Sequence, residues 1–120
     1  MWPLVANSVQ KVQETPPEPQ LTHAQEVWMG ALEWCESRGK IGAINPKDRD
    51  NTPSYGAFQF KPSTLTGYAK LYGVALASTT VMAYEDQHAV LTQMILHRTE
   101  IDWSQQFPAC SKALGRPPAY

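Results

Sequence analysis

The chain has 120 residues, 42% of them apolar, and a formal net charge of −1. This is enough chain and apolar matter for one globular domain and too little for two, and the charge balance leaves no electrostatic footprint for nucleic acid. No run approaches the roughly 18 apolar residues that a membrane span needs, and Met1-Trp2-Pro3-Leu4-Val5-Ala6 is too short and lacks the basic start of a signal peptide.

Residues 1–20 read as a linker, because Glu14-Thr15-Pro16-Pro17-Glu18-Pro19 is too proline-rich for a helix or a central strand. The domain proper is expected over 21–120. Thr22-His23-Ala24-Gln25 has the spacing of a capping box, so the first helix begins after Thr22. Trp28, Leu32 and Cys35 then recur at helical spacing, with Val27, Ala31 and Trp34 beside them, and Gly39 and Gly42 supply the stop.

Asn45-Pro46 and Thr52-Pro53 punctuate a polar loop that holds Lys47, Asp48, Arg49 and Asp50. Ser54-Tyr55-Gly56-Ala57-Phe58-Gln59-Phe60 alternates aromatic with small or polar residues, which suits a short strand or tight hairpin. Pro62 opens a second helix that ends near Gly73. A third runs from about Tyr84 to His97, burying Val90, Leu91, Met94 and Ile95, with Gln87 and Arg98 flanking that face. The tail carries Trp103, Phe107, Cys110 and Leu114, read as a short helix before Gly115 and Pro117-Pro118. The fold class is mainly α, with helices around a cleft and a small β hairpin. Cys35 and Cys110 match no local zinc pattern, and read either as two buried thiols or as one long-range disulfide.

Glu36 stands four residues after Leu32 and eight after Trp28, so it continues the apolar stripe of the first helix. Partial burial and the negative end of the helix dipole both disfavour its ionised form. A carboxyl that stays protonated near neutral pH is what a general acid for glycosidic cleavage requires. Position alone is met as simply by a helix-end glutamate that turns to solvent or pairs with Arg38.

The wider pattern adds to this. Glu36-Ser37-Arg38-Gly39 is followed by Ala43-Ile44-Asn45-Pro46, then by Ser54 to Phe60, then by Pro62-Ser63-Thr64. In this order the segments resemble the catalytic core of lytic transglycosylases and goose-type lysozymes, over roughly residues 22–73. The resemblance implies a lysozyme-like domain acting on peptidoglycan glycan strands. It implies Glu36 as the catalytic acid/base, and Ser37 as a residue that holds substrate or the glutamate. Gln59, closing Gly56-Ala57-Phe58-Gln59, would line the cleft, and Gly56 would let the backbone approach the sugar. Tyr55 is a candidate for stacking on a sugar face, although of Tyr55 and Phe58 one is expected in the core. Where many lytic transglycosylases carry Ala-x-Tyr-Asn, this chain has Ala83-Tyr84-Glu85-Asp86, without the Asn. Trp103 and Cys110 match the tail of compact secreted or phage-associated relatives, as core packing and a structural cystine with Cys35.

The expected reaction is cleavage of the β-1,4 bond between N-acetylmuramic acid and N-acetylglucosamine, outside the cytoplasm, by a monomer without cofactor or metal. One carboxylate suffices for a lytic transglycosylase, in which the substrate's own 6-hydroxyl attacks and leaves a 1,6-anhydro end. A hydrolase needs a second acid across the bond. Asp48 and Asp50 are the candidates, although Lys47 and Arg49 beside them offer a simpler pairing role. Glu33 projects from the same helix as Glu36, and Glu85 and Asp86 suit a helix start. The rival from another class is a non-catalytic glycan-binding or structural module of the same fold. Asp48-Arg49-Asp50-Asn51-Thr52 begins like a calcium loop, but Pro53 stands where Gly is needed. His23, His88 and His97 show no ligand spacing.

Overall fold

The computed structural model describes residues 20–48, 51–78 and 80–120. The proposed linker, apart from Gln20, and the calls on Arg49 and Asp50 lie outside the described residues.

Helix α1 spans His23–Ser37 and starts where the capping box puts it. The Gln25 amide N–H donates to Thr22 Oγ1 at 3.2 Å, and the Thr22 N–H donates to Gln25 Oε1 at 2.9 Å. These two bonds answer donors that a helix start otherwise leaves open. Gln25, Trp28, Met29 and Leu32 form the buried stripe, with Cys35 packed at its edge. Val27 and Trp34, expected beside the stripe, instead face solvent. At about 100° per residue they fall outside the arc set by Trp28 and Leu32, and Met29 takes the inner position. The helix closes at Arg38 (φ 56°), one residue before the expected glycine, and Gly39 (φ 75°) continues the left-handed turn. The Arg38 guanidinium lies 5.3 Å above the Trp34 ring, so it does not pair with Glu36.

Strands β1 (Ile44–Asn45) and β2 (Ser54–Tyr55) pair antiparallel, with Ile44 opposite Tyr55 and Asn45 opposite Ser54. The chain then folds back at once: Tyr55 and Phe60 exchange two backbone hydrogen bonds of 3.0 Å around the turn at 56–59. Helix α2 (Pro62–Tyr72) begins with proline and ends on Gly73 in the left-handed region, as its sequence requires. Helix α3 (Tyr84–Leu96) buries Val90, Leu91, Met94 and Ile95 completely.

The tail differs from the single short helix expected. A 3-10 turn (Arg98–Glu100) leads into α4 (Trp103–Gln106) and α5 (Pro108–Leu114). Pro108 has no N–H to carry α4 onward but is well suited to a first helical position, so the helix breaks and restarts there. Helix α5 packs on α1, and α2 packs on α3. Trp28 meets Trp103 edge to face at 5.2 Å between centroids, joining the first helix to the tail. The described chain is therefore mainly α with a two-stranded hairpin. Among the described residues no helix is long and apolar enough to cross a membrane.

Candidate active site

Glu36 occupies the last turn of α1, half-buried, next to the Cys35–Cys110 disulfide. Burial is the main reason that its carboxyl is pushed up from 4.5 to about 7, and the negative charge of Asp48 adds to the shift. Both act in the same direction, since each penalises the ionised form. Asp48 lies between β1 and β2 and is held by groups from beyond the loop. Its Oδ2 accepts a 2.6 Å hydrogen bond from Ser54 Oγ, and Lys61 Nζ stands 3.7 Å away. Lys61 also donates to the Thr52 carbonyl and to Ser54 Oγ. Asp48, held by Ser54 and Lys61, is thus the charge that reaches Glu36.

A cavity of about 320 Å³ lies between the hairpin region and the tail. Asp48, Gln59 and Lys61 border it on one side, and Gln105, Gln106 and Phe107 on the other. Glu36 does not line this cavity. Asp48 is common to both, since it borders the cavity and its charge reaches Glu36.

The remaining expected site residues divide. Gln59 reaches the cavity and holds a left-handed conformation (φ 55°), uncommon for a residue with a Cβ. Its Nε2 donates to the carbonyls of Gly56 (2.9 Å) and Ala43 (3.2 Å), which offsets the strain and joins the turn to the loop before β1. Ser37 is buried and directs its hydroxyl back to the Glu33 carbonyl at 3.2 Å, within its own helix. Tyr55 borders a different hollow with Leu76, Val81 and Met82, because successive residues of a strand point to opposite faces. Phe58 is the core member of the aromatic pair, fully buried and 5.9 Å from Tyr84. Tyr84 hydrogen-bonds Glu33, one turn before Glu36, and its hydroxyl is pushed up by burial and then by the charges of Glu33 and Glu85.

Gly56 (φ 82°) has a more specific role than close approach to a sugar. A Cβ here would sit 2.5 Å from Gln87 Nε2 and 3.0 Å from Gln87 Cδ. Gln87 was expected at the margin of α3 and is instead fully buried beneath the turn. Its Nε2 donates to the Tyr55 and Val81 carbonyls (2.8 and 2.7 Å), and its Oε1 accepts from the Phe58 N–H at 3.0 Å. Periodicity along one helix could not reveal this, because all three partners come from other segments.

Cys35 and Cys110 form a disulfide, with Cα atoms 5.9 Å apart. It ties the helix end that carries Glu36 to α5, two residues from Pro108 in the cavity wall. Among the described residues no cluster of His, Cys, Asp and Glu could hold a metal ion. Comparison with known proteins returns no matching family model, curated protein or solved structure.

Proposed function

We propose that this chain cleaves the β-1,4 glycosidic bond between N-acetylmuramic acid and N-acetylglucosamine in peptidoglycan, as a lysozyme-like enzyme with Glu36 as general acid/base. One observation carries the reading: the Glu36 carboxyl, at the end of a helix, is raised to about 7 by burial and by the charge of Asp48. Such a group holds a proton to donate to the leaving oxygen and can take one back in the second half of the reaction. The motif from Glu36 to Gln59 points to the lytic transglycosylase route, in which the substrate's 6-hydroxyl closes on C1 and the product is a 1,6-anhydro sugar. No protein nucleophile is required, and an intramolecular hydroxyl competes well against water.

Asp48 favours a second reading, hydrolysis. Its contacts with Ser54 and Lys61, and its influence on Glu36, support a role as the second acid of a two-carboxylate glycosidase. The disulfide suits an oxidising setting, so the protein is proposed to act as a secreted, periplasmic or phage-associated enzyme.

Digestion of purified peptidoglycan, with products weighed by mass spectrometry, tests both readings. Glu36→Gln is expected to lower turnover by about a hundredfold or more while the fold is kept. Retained turnover would remove the enzyme assignment, and glycan binding without turnover in the wild type would indicate a binding module. Anhydro products that persist in Asp48→Asn support the transglycosylase route. Hydrated reducing ends that vanish in Asp48→Asn support hydrolysis.

A further inference from the structure

Exposed apolar side chains scattered singly are ordinary, but in this molecule they gather. Of the six large apolar residues that stand exposed among the described residues, Trp34, Ile41 and Ile44 lie in one short stretch, each more than half exposed. The stretch leaves the end of α1 and reaches β1 through two tight turns. The Lys40 N–H donates to the Ser37 carbonyl and the Ala43 N–H to the Lys40 carbonyl, both at 3.1 Å. Turns of this kind keep their members close together. The charges here are of one sign: Arg38, Lys40 and Lys47 are all exposed, and no acidic residue occurs from 37 to 47. With +3 on these residues, the rest of the chain carries −4. The flanking acids are engaged elsewhere. Glu36 is half-buried, Glu33 accepts from the Tyr84 hydroxyl, and Asp48 is held by Ser54 and Lys61. The Arg38 guanidinium over the Trp34 ring joins the cationic and aromatic parts. Apolar surface continues past the turns, since Ile44 stands opposite Tyr55 on one face of the hairpin, and Tyr55 borders the hollow of Leu65, Leu76, Val81 and Met82.

We propose that this connection is a docking surface for an anionic phospholipid bilayer, which seats Trp34, Ile41 and Ile44 at the headgroup level and takes its phosphates on Arg38, Lys40 and Lys47. The proposal is independent of the glycan-cleaving reading. The mixture of side chains selects a lipid surface over a soluble polyanion. A dissolved polyphosphate would be answered by the cations alone and would leave three large apolar side chains in water. A bilayer interface answers both, because an indole ring sits well between headgroups and acyl chains while neighbouring cations reach the phosphates. The attraction of each cation to an anionic leaflet is screened by salt, and a guanidinium can pair with phosphate through two parallel N–H bonds. The contact is with the surface and requires no span.

The test is co-flotation of the full chain with phosphatidylcholine vesicles, with and without about one third phosphatidylglycerol, at low salt. The anionic vesicles are expected to bind at least about tenfold more tightly, and added salt should erode the preference. Trp34→Ala should lower binding to the anionic vesicles about tenfold. Lys40→Gln with Lys47→Gln should remove the preference for anionic lipid. Leu71→Ser is the control, since Leu71 is as exposed as Trp34 but belongs to α2, and it should change nothing. Unchanged thermal midpoints would show that the variants fold. Should the Trp34 variant fail to fold, Ile41→Ser with Ile44→Ser reads the same contact. Equal binding to both vesicles, binding to neither, or a loss as large in Leu71→Ser would overturn the proposal. So would binding that the lysine variants abolish and the apolar variants leave intact, which marks a surface for any polyanion. Peptidoglycan turnover is scored separately, and its absence bears on the enzyme assignment alone.

Discussion

The proton on Glu36 has consequences for pH dependence that are opposite to those of a surface carboxylate. Its pKa in the folded chain is about 7, against 4.5 for an unburied glutamate. Between those values the folded state holds a proton that the unfolded state has released, so stability falls as pH rises through this window. The stabilising contribution is complete below about 4.5 and is lost as pH passes about 7. Its size is at most about 3 kcal/mol, and less once residual solvent screening is allowed for. Glu36→Gln is therefore expected to be as stable as the wild type in mild acid and more stable above neutrality, as read from urea midpoints across pH. If both proteins follow the same pH curve, Glu36 is not held in its neutral form. If Glu36 is the general acid, the alkaline limb of the rate profile carries the same sign: kcat/KM should decline as pH rises through about 7. Glu36 was legible in the sequence because burial along a helix repeats with the turn. The environment of Asp48 was not legible, because it depends on Ser54 and Lys61, which the hairpin brings together and no local spacing encodes.

At the level of elements, local rules sufficed wherever an element is decided by its own residues. The Thr22–Gln25 box and the Pro62–Gly73 pair set the ends of α1 and α2 as their chemistry demands. The rules ran short where one element is held by another. The turn after β2 is an example: it stands on the buried Gln87 amide of α3, and Gly56 is there to admit that amide. Gly56→Ala should cost about 2–4 kcal/mol, combining left-handed strain with displacement of a side chain fixed by three hydrogen bonds. Gln87→Ala in the same background should recover part of the steric loss, because the clashing atoms are gone, while keeping the φ penalty. A double-mutant cycle by chemical denaturation reads this coupling, and strictly additive losses would show that the two residues do not meet. The tail was misread as one helix for a related reason. The apolar spacing of Trp103, Phe107 and Cys110 continues across Pro108, but the hydrogen-bond ladder cannot.

For the described molecule as a whole, the two cysteines join α1 to α5. Composition allowed two separate thiols as readily as one bridge, and only the packing of α5 on α1 decides between them. In the chain-entropy view, a cross-link closing 75 positions stabilises the fold by about 4 kcal/mol. Replacing both cysteines by alanine should lower the urea midpoint accordingly. It should also loosen the cavity wall, since Phe107 and Pro108 stand close before Cys110. Thiol titration of the denatured, unreduced protein should find no free thiol.

The same bridge makes a covalent ring of the backbone from Cys35 to Cys110, and Glu36, Asp48, Gln59, Gln105 and Gln106 all belong to it. A protease that cuts once in the exposed stretch around Ile44–Lys47 would therefore open the ring without releasing a fragment. The nicked molecule would keep its full mass until a reductant separated the two pieces. A chain that meets a protease would thus outlast its first cut.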